Sequence, residues 1–129
     1  MLVPALVQRA LTLRGAAEPR LPIGNTTPVR DFLHVADVIR AYLLLAERGT
    51  PGEAYNVASG EGRTVGDLAG LVLDRVGVAA KLEPVAEYIR PVDLPMLVGD
   101  STKLRDATGW RPRSGIELAI DQLIDAASR

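Results

Sequence analysis

Glycine and proline punctuate this sequence at short intervals, and between them runs with helical apolar spacing alternate with short β-prone runs. Such alternation predicts an α/β (α+β) fold, helix-rich with short strands. Residues 3–14 carry Leu6, Val7, Ala10 and Leu11 at helical spacing, with Gly15 as a stop. Residues 20–23 read as a short strand that Pro22 confines to an edge or bulge. Residues 24–28 form a loop, and 29–34 are extended. The strongest helical pattern covers 35–47, where Val35, Val38, Ile39, Tyr42, Leu43 and Ala46 make one broad apolar face. A strand is expected over 53–58. A helix over 64–75 turns Leu68, Leu71, Val72 and Val76 inward, and a strand follows at 80–85. A proline-bearing loop over 87–95, a short strand at 96–98 and a short helix at 101–108 come next. A Ser114–Glu117 capping box opens the last helix, with Ile116, Ala119, Ile120, Leu123 and Ile124 inward.

The 129 residues suit one compact domain, 1–129, with no interdomain linker. Aromatics are only 4%, so the core must be aliphatic. A formal net charge of −1 offers no basic excess to draw nucleic acid or an anionic membrane. The absence of cysteine removes disulfides and thiolate chemistry, and the lone His34 makes a histidine metal site improbable; no metal ligands are assigned. The apolar start is short and broken by Arg9 and Arg14, unlike a signal peptide, and no run reaches the ~18 apolar residues of a membrane span. A cytoplasmic location is the expectation.

The stretch Tyr55–Gly70, "YNVASGEGRTVGDLAG", invites a cofactor reading. A strand, a glycine turn and a helix open a dinucleotide-binding unit, and Glu83 lies near where its ribose-binding acid would fall. Three features oppose it. The spacing is G-x-G-x-x-x-G, Glu61 would bring negative charge to the phosphates, and Thr64 and Asp67 make a capping box that already fills the helix end.

Charged residues in loops offer a different site. Arg30 in "TPVRDFLHV" and Arg90 in "YIRPVDLP" sit in proline-bounded, non-helical segments. Two such arginines can clamp a diphosphate, and Asp93 can accept both hydroxyls of a ribose. The bland alternative pairs Arg30 with Asp31 or Asp37 and leaves Arg90 as a solvated charge. His34 is expected to be structural, Asp37 to complement a helix N-terminus, and Trp110 to pack after a helix end.

Taken in order, "VRDFLHVADVIRAYLLLAERGTPGEAYNVASGEGRTVGDLAGLV" and "IRPVDLPMLVGDSTKLRDATGWRP" resemble the C-terminal half of an extended short-chain dehydrogenase/reductase. The resemblance is strongest to the group of GDP-mannose 4,6-dehydratases and GDP-6-deoxy-4-keto-mannose reductases, in the Gly24-Asn25 pair, the R-P-x-D of Arg90–Asp93 and the G-D-S-T-K-L of Gly99–Leu104. It implies a small substrate domain that grips a nucleotide-sugar, probed at Arg30 and Arg90 for the diphosphate and Asp93 for the ribose. Leu21, Pro22 and Ile23 match the segment packed against the base, and Asn25 belongs to the same loop. The family's N-terminal Rossmann domain, which binds NAD(P) and carries the catalytic Tyr, Lys and Ser/Thr, has no counterpart here: neither G-x-x-G-x-x-G nor Y-x-x-x-K occurs. The chain is therefore expected to start inside a longer frame, to bind no cofactor and assign no catalytic residue of its own, and to be inactive alone. Its partners would be the nucleotide-sugar, the missing domain and a second copy through an exposed apolar face. The alternative is a stand-alone nucleotide-binding or assembly module, which should have a closed surface.

Overall fold

The computed structural model describes residues 1–129. Helix α1 (Leu2–Thr12), strand β1 (Arg20–Ile23), helix α3 (Val65–Val76) and helix α5 (Ile116–Ala127) enclose the main core. Leu6, Val7 and Ala10 of α1 meet Leu68, Ala69, Val72, Leu73 and Val76 of α3, with Ile120 of α5 closing the third side. These are the positions that helical spacing turns inward. Burial at about 25 cal/mol per Å2 of apolar surface makes this aliphatic cluster the main driving force for the fold.

Two small sheets flank the helices. Strand β1 pairs in parallel with β4 (Lys81–Pro84), Leu21 opposite Leu82. With only two strands, Pro22 interrupts no central ladder, as its sequence position predicts. The second sheet has the order β3-β2-β5, built from β2 (Val29–Asp31), β3 (Gly62–Thr64) and β5 (Met96–Leu97). Strand β2 lies antiparallel to β3, Arg30 opposite Arg63, and parallel to β5, Arg30 opposite Leu97. A satellite cluster of Ala41, Leu104 and Trp110 joins helix α2 (Val35–Arg48) to α4 (Thr102–Thr108).

Two local expectations need correction. Residues 53–58 are extended but form no strand: none of the amides of residues 54–58 donates a hydrogen bond within the chain, because no neighbouring strand is present. Tyr55 and Val57 turn toward Trp110, whereas Ala54 and Asn56 face solvent. The Ser114 capping box does not close. The Ser114 amide donates to Asp37 instead, which moves the N-cap to Gly115, and Glu117 turns to Arg63 at 3.5 Å.

The broad apolar face of α2 points outward: Val35, Ile39, Tyr42 and Leu43 are 66%, 54%, 63% and 67% exposed. The opposite side packs inward through Asp37, Ala41, Leu44 and Leu45.

Candidate functional site

Strand β2 organises the loop that carries Asp93. Three consecutive residues hold it at successive points. The Val29 amide donates to the Pro95 carbonyl at 2.8 Å, Arg30 pairs with Asp93, and Asp31 accepts from the Gly99 amide at 3.2 Å. Arg30 and Asp93 are 63 residues apart and come from separate loops in the sequence reading. Their side chains are 22% and 24% exposed, so the pair is largely sheltered from water. Arg30 also donates to its own Val29 carbonyl at 2.7 Å, which fixes the guanidinium against the strand.

The alternative pairing of Arg30 with Asp31 or Asp37 does not form, because both carboxylates are taken. Asp31 accepts from the Ser59 hydroxyl at 2.6 Å, the Ser59 amide at 2.9 Å and the Gly60 amide at 2.9 Å, besides Gly99. Desolvation opposes its ionisation, but these hydrogen bonds outweigh it and hold its pKa below the ordinary aspartate value. Asp31 therefore ties β2, the Ser59–Gly60 turn and the chain after β5 together. Gly99 permits this approach: a Cβ there would lie 2.3 Å from that of Ala58.

Asp37 does more than complement a helix end. It is fully buried and accepts from the Arg113 and Ser114 amides and from Arg40 at 2.5 Å. Its pKa is also lowered, since these donors overcome the desolvation that would raise it. Trp110 donates its indole N–H to the Asp37 carbonyl at 3.0 Å and is itself buried. His34 is the N-cap of α2. Its Nδ1 accepts from the Ala36 amide at 3.1 Å, so Nε2 donates to Gln122 Oε1 at 2.9 Å. A ring satisfied on both nitrogens serves structure.

Arg90 is exposed and makes no ion pair, three residues before Asp93. It projects from the loop between the 3-10 turn Ala86–Tyr88 and β5. Asn25 is exposed, its Oδ1 accepting from the Thr27 amide and hydroxyl at 3.1 and 2.9 Å. The segment assigned to the base divides. Leu21 and Ile23 are 0% and 1% exposed and lie in the main core, whereas Pro22 is half-buried at the surface. The period-two alternation of a strand already puts Leu21 and Ile23 on one face and Pro22 on the other.

The glycine turn is accounted for without a ligand. Gly60 adopts φ +82°, which favours glycine, and a Cβ on Gly62 would sit 2.6 Å from Val29 Cγ1 across the β2–β3 ladder. The first amides of α3 are already bonded: Val65 to Pro28, Gly66 to Thr26, and Asp67 to the Thr64 hydroxyl at 2.9 Å. These are the groups a pyrophosphate would need, so this turn does not fit NAD(P). Asp67 does not complete the reciprocal half of the capping box; Thr64 belongs to β3 as well as to the cap. Glu83 faces solvent on β4, 3.7 Å from Arg20.

Two concavities lie away from Arg30. One of about 250 Å3 is polar, bordered by Glu61, Arg63, Arg113 and Glu117. The other, of about 420 Å3, is apolar; Leu2, Phe32, Val35 and Leu123 line it beside His34, and it adjoins the open face of α2. No helix is long and apolar enough to cross a membrane.

Comparison with known proteins supplies the context. The family profile described as GDP-mannose 4,6 dehydratase matches residues 2–123. A GDP-6-deoxy-D-mannose reductase of Pseudomonas aeruginosa is 31% identical over 124 residues, covering 96% of this chain and 41% of its own length. A GDP-L-fucose synthase of Arabidopsis thaliana is 33% identical, with 95% and 38% covered. Among solved structures, RMD from Pseudomonas aeruginosa complexed with NADPH superposes with a TM-score of 0.85 at 30% identity, covering 97% of this chain and 41% of that one. UDP-glucose 4-epimerase of Thermotoga maritima with UDP-glucose gives 0.81 at 28% identity, with 99% and 39% covered. The chain thus spans about two-fifths of the length of these relatives.

Proposed function

Because this chain belongs to the GDP-mannose 4,6-dehydratase group of the extended short-chain dehydrogenase/reductase family, we propose that it is the part that grips a nucleotide-sugar, most closely a GDP-sugar. The observation that carries this reading is the Arg30–Asp93 pair, with Arg90 free on the same loop.

The pair holds both groups ready. Asp93 neutralises Arg30 in a sheltered position, where an unpaired charge is costly. A diphosphate offers a second anion with fork geometry, so Arg30 exchanges Asp93 for phosphate oxygens. Asp93 is then released to accept the ribose hydroxyls, and Arg90 swings in as the second cation. No bond is made or broken by these residues; they bind and orient the nucleotide end.

The wider activity is that of a longer protein: NAD(P)-dependent dehydration, epimerisation or reduction of the sugar, in the cytoplasm. This chain's residues build no dinucleotide turn and no Y-x-x-x-K pair, so the pure 129-residue protein is expected to show no turnover. The open apolar face of α2 and the unpaired amides of residues 54–58 support docking against a sheet-bearing cofactor domain, which would cover both. A stand-alone module would be expected to close this face.

Calorimetry with GDP-mannose tests the reading. Wild type is expected to bind weakly and Arg30→Ala at least tenfold more weakly, the loss of one charge-assisted bidentate contact. Equal binding by the two proteins would remove the phosphate role of Arg30.

A further inference from the structure

With the side chains of Leu21 and Ile23 in the core, only Pro22 of that segment is left to meet a base if a nucleotide binds at Arg30. The surface beside them is made by three segments. Tyr88 ends the 3-10 turn, and the Arg9 guanidinium of α1 lies 4.0 Å from its ring centroid. Arg9 is fixed there by a hydrogen bond to the Pro22 carbonyl at 3.2 Å. The Tyr88 backbone rests directly on Gly24, where a Cβ would lie 2.3 Å from the Tyr88 carbonyl oxygen. The Val85 amide donates to the Ile23 carbonyl at 2.8 Å and anchors the turn to the end of β1.

The result is a cation–aromatic stack, held from three sides and open to solvent, with Tyr88 38% exposed. Apart from the Tyr88 hydroxyl, its unused side-chain polar groups are donors. Arg9 makes no ion pair and retains N–H groups without a partner, and the Asn25 side-chain amide N–H groups are also free beside Gly24. Free donors next to a stacking surface suit a heterocycle whose edge carries acceptors, as the N7 and O6 of guanine do for arginine. Tyr88 lies two residues before Arg90, a reach of about 7 Å in extended chain, comparable with one ribose.

We propose that the Arg9–Tyr88 stack is the nucleobase platform of this site, the base lying on its open side with the free Asn25 amide directed at the acceptor edge of a purine. This rests on the reading of Arg30 as the diphosphate contact, and the two can fail separately. The experiment titrates GDP, UDP and inorganic pyrophosphate into wild type, Tyr88→Ala, Tyr88→Phe, Arg9→Met and Arg30→Ala, with circular dichroism to check folding. Stacking of one base is worth about tenfold or more in affinity. Tyr88→Ala and Arg9→Met are therefore expected to lose about tenfold or more for GDP and nothing for pyrophosphate. Tyr88→Phe should retain GDP binding, and wild type should prefer GDP to UDP. Arg30→Ala should lose GDP and pyrophosphate alike; if it loses neither while Tyr88→Ala still loses GDP, the diphosphate reading falls and the platform stands. Equal GDP affinity in wild type and folded Tyr88→Ala overturns the platform whatever Arg30→Ala does. So does a wild type that binds GDP no better than pyrophosphate, including no measurable binding of either.

Discussion

Helices α2 and α3 carry comparable apolar stripes in the sequence, and the fold treats them oppositely. Leu68, Val72 and Val76 of α3 are at most 5% exposed, packed between α1 and α5. Val35, Ile39, Tyr42 and Leu43 of α2 form an equally regular stripe that faces solvent, while the same helix buries a carboxylate, Asp37, on its other side. Periodicity shows that a helix has an apolar face; it does not show whether the body covering that face lies in the same chain. Buried Asp37 is tolerable because backbone amides and Arg40 satisfy it. The two helices thus separate what stabilises this chain from what it presents to something else.

The largest test of that separation is a matched pair of truncations. Leu68→Ala should cost about 2–5 kcal/mol by leaving a cavity between α1 and α5, whereas Leu43→Ala should stay within about 0.5 kcal/mol, measured by urea unfolding. A comparable loss for both would mean that the α2 stripe supports the fold.

Acid distinguishes the buried sides of the two helices. Asp31 and Asp37 ionise below their ordinary range in the folded chain, so the native state holds fewer protons than the unfolded one. Their contribution is complete above about pH 5 and is lost as pH falls through and below the ordinary carboxylate range. The only tryptophan, Trp110, reports on this directly, because its indole donates to the Asp37 backbone. Its fluorescence is expected to change on acidification before the helical signal of the α1–α3–α5 core does. Simultaneous loss of both signals would show a single cooperative unit.

The smallest effect on stability should come from charging the open stripe. Ile39→Lys with Leu43→Lys is expected to leave the unfolding midpoint nearly unchanged and to abolish concentration-dependent association in sedimentation equilibrium. Persistent self-association would place the sticky surface elsewhere.

Much of the main core was legible, because α1, α3 and α5 follow one period and bury the residues it selects. The strand over 53–58 was not, since a β-prone run becomes a strand only with a partner, and these amides have none. Strand β3 was hidden inside a glycine turn: Gly62 is there to pass close to Val29, a tertiary requirement that resembles a loop signal. The Ser114 cap failed because a buried carboxylate 77 residues away competes for its amide. At the candidate site, residue types pointed to Arg30, Arg90 and Asp93, but only the β2–β5 register brings Arg30 onto Asp93. Strand alternation could have excluded Leu21 and Ile23 from the surface. Nothing local indicated that Asp31 joins three segments or that Arg9 covers Tyr88.

Amide chemical-shift mapping during a GDP titration tests the central claim most directly. Shifts are expected around Arg30, Arg90 and Asp93, with little change at Gly60–Gly66 or along α2. Shifts centred on the glycine turn at the start of α3, with none near Arg30, would contradict the account.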